Sequence, residues 1–215
     1  TWIMSWLYIG TFGSFVGFSA AFPLLLKTQF PEATASLAFL GPLVGSIARP
    51  IGGKLADRVG GARMTYWNFV AMTLAALCLM WALSIKSFPM FVATFLALFV
   101  TTGIGNGSTF RMIPVIFRAF HLRRVDGDAP AHAEALLAAR RETAAVIGVV
   151  AAIGALGGYF IPRAFGASIQ ATGTPLVALA CFVAFYVTCV ATTWWCYTRT
   201  SWFSQRLPSL ASARA

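Results

Sequence analysis

Six apolar stretches dominate the sequence, and each reaches about the 20 residues that a helix needs to cross a membrane. They consist mostly of Leu, Val, Ala and Phe, and they lack the alternation of apolar and polar residues that is typical of membrane β-strands. Only 10% of the 215 residues are charged, against about 25% in soluble domains. We therefore predict an all-α polytopic membrane protein with six transmembrane helices, over residues 2–26, 36–56, 64–85, 89–118, 142–163 and 175–198.

The basic residues predict how these helices are oriented, because short cytoplasmic loops retain an excess of Lys and Arg. Eleven of the sixteen lie in or beside loop 57–63, in loop 118–141 or in the C-terminal tail, whereas three lie in the opposite loops. Both ends of the chain are therefore predicted to face the cytoplasm. Topology and anionic membrane lipid explain the net charge of +10, so we expect no nucleic-acid partner.

The segments outside the helices contain little that indicates other chemistry. The sequence has no nucleophile beside a base, no paired carboxylates and no phosphate-binding loop, so we expect neither an enzyme nor a bound cofactor. The four cysteines are interpreted as packing residues, and His121 and His132 lack the further ligands of a metal site. Residues 131–141, "AHAEALLAARR", are expected to form a short cytoplasmic helix lying on the bundle, and residues 201–215 a disordered tail.

Arg49 lies inside the second apolar stretch, directly before Pro50 and with no acidic residue nearer than Asp57. An arginine in the middle of a membrane helix costs about 2.5 to 3.5 kcal/mol on insertion scales, and such residues usually face a bundle interior or an aqueous cavity. Pro50 removes a backbone hydrogen bond, which also favours a polar cavity. The alternative is that Arg49 snorkels roughly 10 Å toward the interface. For Arg111 in the fourth stretch, snorkelling and a function both remain open.

Other helices contain residues that are suited to line such a cavity. Tyr8, Phe12, Phe15 and Ser19 share one face of the first helix, although an aromatic stripe of this kind is also typical of packing. Glycines are concentrated in three segments, where they permit either close helix packing or space for a small flat ligand. These segments are "GTFGSFVGF" (10–18), "GIGNGS" (103–108) and "GALGG" (154–158).

The loop after the second helix, "GGKLADRVGGAR" (52–63), resembles the cytoplasmic loop motif of the major facilitator superfamily. Paired glycines allow a tight reversal of the chain, the aspartate can interact with a helix N-terminus, and the arginines with facing carboxylates or carbonyls. The resemblance implies a conformational latch. Its residues in this sequence are Gly53, Asp57, Arg58, Gly60, Gly61 and Arg63.

A closer resemblance covers residues 3–198 and identifies the chain as similar to the C-terminal half of a NarK-type nitrate/nitrite transporter. The segments that carry it are 8–31, 41–69, 105–118 and 151–166. It implies a six-helix bundle over residues 1–200 in the bacterial inner membrane, completed by an N-terminal half that holds a second arginine. Because the chain begins at Thr1, directly before an apolar run, we expect its N-terminus to be truncated.

By this resemblance, Arg49 matches the arginine that binds the anion, Tyr8 the tyrosine that hydrogen-bonds it, and Phe12 an aromatic residue that packs on its flat face. Gly154, Gly157 and Gly158 match the second glycine-rich nitrate signature. The chemistry of the residues agrees, because a planar guanidinium offers a planar oxyanion two parallel hydrogen bonds. We therefore expect nitrate and nitrite to be the partners of this chain, besides membrane lipid.

Other functions remain open from the residues alone. Half of another facilitator, carrying organic anions, sugars or drugs, would also have these helices, the loop motif and the glycines, and a non-transporting scaffold is a third possibility. All six acidic residues lie in loops or at helix ends, whereas proton-driven transporters usually place a titratable group inside the membrane. We therefore expect nitrate/nitrite exchange, with proton-coupled nitrate symport as the alternative.

Overall fold

The computed structural model describes residues 2–122 and 129–198, and every regular element in these ranges is helical. The predicted all-α fold is thereby confirmed for the described residues, whereas the predicted tail 201–215 lies outside them. In chain order the helices are α1 (Trp2–Gln29), α2 (Leu40–Val59), α3 (Gly61–Ser84), α4 (Phe88–Leu122), α5 (Ala129–Ala155), α6 (Gly157–Thr172) and α7 (Leu176–Thr193). Helix α1 contains a π-helical turn over Ile9–Gly13, and a second such turn, Trp194–Thr198, follows α7.

Five helical segments among the described residues are long and apolar enough to cross a membrane, which confirms a polytopic membrane protein. They are Trp2–Gln29, Gly61–Ser84, Phe88–Leu122, Pro130–Thr172 and Leu176–Thr198. Helix α2 overlaps the second predicted span, 36–56, but is not among them, because it carries the charges of Arg49, Lys54, Asp57 and Arg58. Its crossing of the membrane remains a prediction.

The prediction of a separate cytoplasmic helix over residues 131–141 is wrong. These residues belong to α5, which continues without interruption to Ala155. The segment is rich in Ala, Leu and Arg and contains neither Gly nor Pro, so nothing in it ends a helix. The interruption comes at Leu156, whose amide donates to the carbonyl of Ile153 at 3.2 Å, and α6 then extends to Thr172, beyond the predicted end at residue 163.

Helix α2 packs on α4 through a stripe of small residues. Its buried residues are Gly41, Gly45, Ala48, Gly52, Gly53 and Ala56. A Cβ atom at Gly103 of α4 would collide with the carbonyl of Gly45, and one at Gly107 with the carbonyl of Arg49. Small side chains allow this backbone contact. Because this face of α2 is pressed against α4, Arg49 and Pro50 are directed to the exposed side.

Aromatic side chains fill the space between α1 and α4. The rings of Phe22 and Phe95 stack with centroids 4.5 Å apart and planes inclined by 16°, and Phe18 meets Phe95 edge to face at 5.8 Å. On the other side of α1, the buried Tyr186 of α7 donates a hydrogen bond to the hydroxyl of Ser14 at 2.7 Å. These contacts hold α1 between α4 and α7 and thereby set the position of Tyr8 and Phe12.

Candidate functional site

A groove of about 550 Å³ lies between α2 and α4, and Arg49 lines it. Two further basic side chains, Lys54 and Arg111, line the same groove, and no acidic side chain does so among the described residues. Phe15 of α1 forms part of the wall, so the aromatic stripe predicted on the first helix reaches this site. The groove is therefore a concave, positively charged surface with room for a small anion.

Among the described residues, Arg49 has an aromatic neighbour and no carboxylate neighbour. Its guanidinium carbon lies 5.7 Å from the ring centroid of Phe110, which is within the range of a cation–π contact. Neither of the two ion pairs found among the described residues involves Arg49. Its side chain is exposed to the groove, so the charge is available to a ligand.

Tyr8, Phe12 and Gly154 form a second cluster, where α1 faces the end of α5. The rings of Tyr8 and Phe12 have centroids 5.2 Å apart. A Cβ atom at Gly154 would lie 3.0 Å from Cδ1 of Phe12 and 3.2 Å from Cδ1 of Tyr8, so this glycine leaves space for both rings. Tyr8 is 3% exposed. The structure thus brings three of the predicted residues into contact, whereas none of the three lines the Arg49 groove.

The two other glycines of the signature serve helix packing. A Cβ atom at Gly157 would lie 2.6 Å from the Cα atom of Gly13, and one at Gly158 would lie 2.9 Å from Cγ1 of Val16. Helices α1 and α6 therefore cross with their backbones in contact at Gly13 and Gly157. Of the two roles that the sequence left open for "GALGG", close packing describes Gly157 and Gly158, whereas Gly154 borders the aromatic pair.

The loop motif joins α2 to α3 through a single residue, Gly60. Its φ of 96° is a conformation that side-chain-bearing residues rarely adopt, which accounts for the predicted tight reversal. Asp57 does not cap a helix but pairs with Arg111 of α4 at 3.2 Å. The sequence left two explanations open for the charge of Arg111, snorkelling to the interface or a function. In the structure this charge is neutralised by Asp57. Arg58 and Arg63 are exposed and form no ion pair with a described residue.

The described residues contain no group of three potential metal ligands, and His121 contacts Glu142 at 3.1 Å. The four cysteines are free thiols, two buried and two exposed.

Curated proteins with similar sequences are nitrate and nitrite transporters by name. The chain is 47% identical over 213 residues to the nitrate/nitrite transporter NarU of Escherichia coli, covering 95% of this chain and 45% of that protein. It is 38% identical to the probable nitrate/nitrite antiporter NarK2 of Thermus thermophilus, covering 93% of this chain and 42% of the relative. The chain is homologous to half of a NarK-type nitrate/nitrite transporter.

The NarK-type chain spans about half the length of the curated relatives it matches. A further relative, the nitrite extrusion protein of Bacillus subtilis, is 30% identical over 80% of this chain and 38% of its own length. No protein-family model matches the chain. The relatives are named as transporters and not as enzymes, in agreement with the sequence analysis.

Asn106 is a residue of the Arg49 groove that the sequence analysis missed. Its side chain is 1% exposed, and neither its amide nitrogen nor its amide oxygen has a hydrogen-bond partner among the described residues. A buried amide without partners is uncommon because its desolvation costs about 1 to 3 kcal/mol. The one available signal was the asparagine itself, a polar residue within the apolar stretch "GIGNGS". It was overlooked because the segment was interpreted only through its glycines. Phe110 was missed for a similar reason, since one more aromatic residue in a membrane helix is unremarkable.

Proposed function

We propose that this chain is the C-terminal six-helix half of a nitrate/nitrite transporter of the major facilitator superfamily, located in the bacterial inner membrane with both chain ends in the cytoplasm. One observation carries the proposal. In a chain homologous to half of a NarK-type transporter, Arg49 lines a groove of about 550 Å³ and has no carboxylate partner among the described residues. The transported anion is then the counterion that Arg49 lacks.

The chemistry of the groove supports an oxyanion of this shape. A guanidinium group is planar and always charged, and it donates two parallel hydrogen bonds to a planar anion such as nitrate. The hydroxyl of Tyr8, in the neighbouring aromatic cluster, makes no hydrogen bond to a described residue, and we assign to it a third hydrogen bond to the anion. Phe12, in contact with Tyr8, is the aromatic surface that we assign to the flat face of the anion.

The open side of the groove is the place that we assign to the missing N-terminal half. Facilitator-type transporters work by rocking one half against the other around a site near the middle of the membrane. In this proposal the exposed face of α2 around Arg49 closes against the other half. The Asp57–Arg111 pair joins α2 to α4 and acts as the latch that the loop motif implies.

We further propose that the complete transporter exchanges nitrate for nitrite. Among the described acidic residues, Glu32 lies between helices, Asp57 in the last turn of α2, and Glu134 and Glu142 in the polar first half of α5. None of these described carboxylates pairs with Arg49, so an empty site keeps an uncompensated positive charge, which disfavours reorientation without an anion. Proteoliposomes loaded with nitrite should therefore take up nitrate at a rate independent of an imposed pH gradient. Gradient-driven uptake into anion-free vesicles would instead demonstrate symport.

The anion site is tested by replacing Arg49 with lysine in the full-length transporter. A compact ammonium keeps the charge but not the planar fork, so Arg49→Lys should nearly abolish nitrate binding measured by calorimetry. Arg58→Lys makes the same change on the same helix outside the groove and should bind nitrate as the wild type does. Wild-type affinity in Arg49→Lys would refute the assignment.

A further inference from the structure

A second groove lies beside the Arg49 groove, toward the C-terminal end of α4. It has a volume of about 470 Å³ and is formed by α4 and α5. Arg118 of α4 and Arg140 of α5 both line it, together with the hydroxyl-bearing Thr143. The remaining lining residues are apolar, so the two positive charges act in surroundings that screen them less than water does.

The charges of this second groove are not neutralised within the described part of the chain. Neither Arg118 nor Arg140 forms an ion pair with a described residue. The nearest carboxylate along α5, Glu142, contacts His121 at 3.1 Å. The half-buried Thr143 makes no hydrogen bond to a described residue, so its hydroxyl is free to donate to a ligand.

One face of α4 connects the two grooves. Phe110, Pro114 and Arg118 follow one another at intervals of four residues, which places them on the same side of the helix. Phe110 contacts Arg49, Pro114 lines both grooves, and Arg118 lines the second. At 1.5 Å per residue, this stripe extends roughly 12 Å from the Arg49 contact to Arg118.

We propose that the groove of Arg118, Arg140 and Thr143 is a second, weaker site for the transported oxyanion, on the cytoplasmic side of the Arg49 site. This inference rests on the proposed function. A cleft lined by charge of one sign raises the local concentration of the opposite ion and its association rate by about 10- to 1000-fold. The second groove thus collects nitrate or nitrite from the cytoplasm for Arg49 and receives the anion when it leaves Arg49. Because this site acts through charge, it needs two positive groups but not the planar fork that Arg49 supplies.

The test measures nitrate/nitrite exchange from the cytoplasmic face of the full-length transporter, in vesicles of phosphatidylcholine alone. Arg118→Gln/Arg140→Gln should raise the KM for nitrate from that face about three- to tenfold and flatten its dependence on ionic strength, while nitrate affinity at Arg49 stays unchanged in calorimetry. The pair Arg118→Lys/Arg140→Lys should restore the wild-type KM. Arg141→Gln, which removes the neighbouring charge outside the groove, is the matched control.

Three results would overturn the inference and are distinguishable. If the double glutamine variant has the KM and salt dependence of Arg141→Gln, the second groove binds no transported anion. If the KM of the double glutamine variant rises only after phosphatidylglycerol is added to the vesicles, the groove binds a lipid headgroup and not the transported anion. If the wild-type protein exchanges no nitrate, the proposed function itself fails, and this inference fails with it.

Discussion

Gly154 offers a direct test of whether the aromatic cluster belongs to the anion site. A Cβ atom at this position would lie 3.0 Å from Phe12 and 3.2 Å from Tyr8, whereas ordinary Cβ contacts begin at about 3.4 Å. In Gly154→Ala the rings must therefore move by a few tenths of an ångström. Gly148 lies on the same helix and has no atom within 4 Å of its own added Cβ, so Gly148→Ala is the matched control.

The two substitutions should differ in binding much more than in stability. Replacing glycine by alanine in a helix interior raises the free energy of unfolding by about 1 kcal/mol. In Gly154→Ala this gain is offset by steric crowding, which costs about 1 to 3 kcal/mol. A hydrogen bond to a charged ligand contributes about 1.5 to 3 kcal/mol, so partial misplacement of the Tyr8 hydroxyl should weaken nitrate binding about tenfold. Gly148→Ala should bind normally and melt slightly higher.

Calorimetric titration of nitrate into the full-length protein measures the affinity, and a thermal melt of the same sample measures the stability. Wild-type affinity in Gly154→Ala, with its melting temperature lowered, would show that this glycine serves packing alone. The assignment of Tyr8 and Phe12 to the anion would then lose its structural support.

Three further predictions concern the latch, the unpaired amide and the topology. Asp57→Asn removes the charged partner of Arg111, and because both side chains are about half exposed, its coupling energy with Arg111→Gln in the free energy of unfolding should be only about 0.2 to 1 kcal/mol. The nitrate/nitrite exchange rate should change more. If the effects of the two substitutions are additive both in stability and in exchange rate, the pair is not a latch. Asn106→Leu should raise the melting temperature, because an unpaired amide is replaced by an apolar side chain of similar size. Because Asn106 lines the Arg49 groove, the same variant should weaken nitrate binding, and a lower melting temperature would mean that the amide is paired. Single cysteines at positions 60 and 87 should react with impermeant reagents from the cytoplasm and from outside, respectively, and the reverse labelling would invert the topology.

The sequence was sufficient for the features that depend on one helix or one turn at a time. Long apolar runs predicted the helices because each satisfies its own backbone hydrogen bonds within the membrane. The position of Gly60 between two such runs predicted the reversal between α2 and α3. The isolation of Arg49 from acidic residues could also be recognised, since Asp57 is two turns away along the same helix. The error at residues 131–141 arose because a polar helix and its apolar continuation were treated as separate elements.

The tertiary structure was needed to decide which residues meet. It pairs Asp57 with Arg111, 54 positions further along the chain. It places Gly154 against aromatic rings but Gly157 and Gly158 against helix α1. It also leaves the amide of Asn106, beside the Arg49 groove, without a hydrogen-bond partner among the described residues. In a soluble protein, the apolar side of a helix indicates its buried side. In a membrane, lipid and protein core are equally apolar, so the faces of these helices look alike in sequence, and only packing determines which of them meets lipid, another helix or the anion.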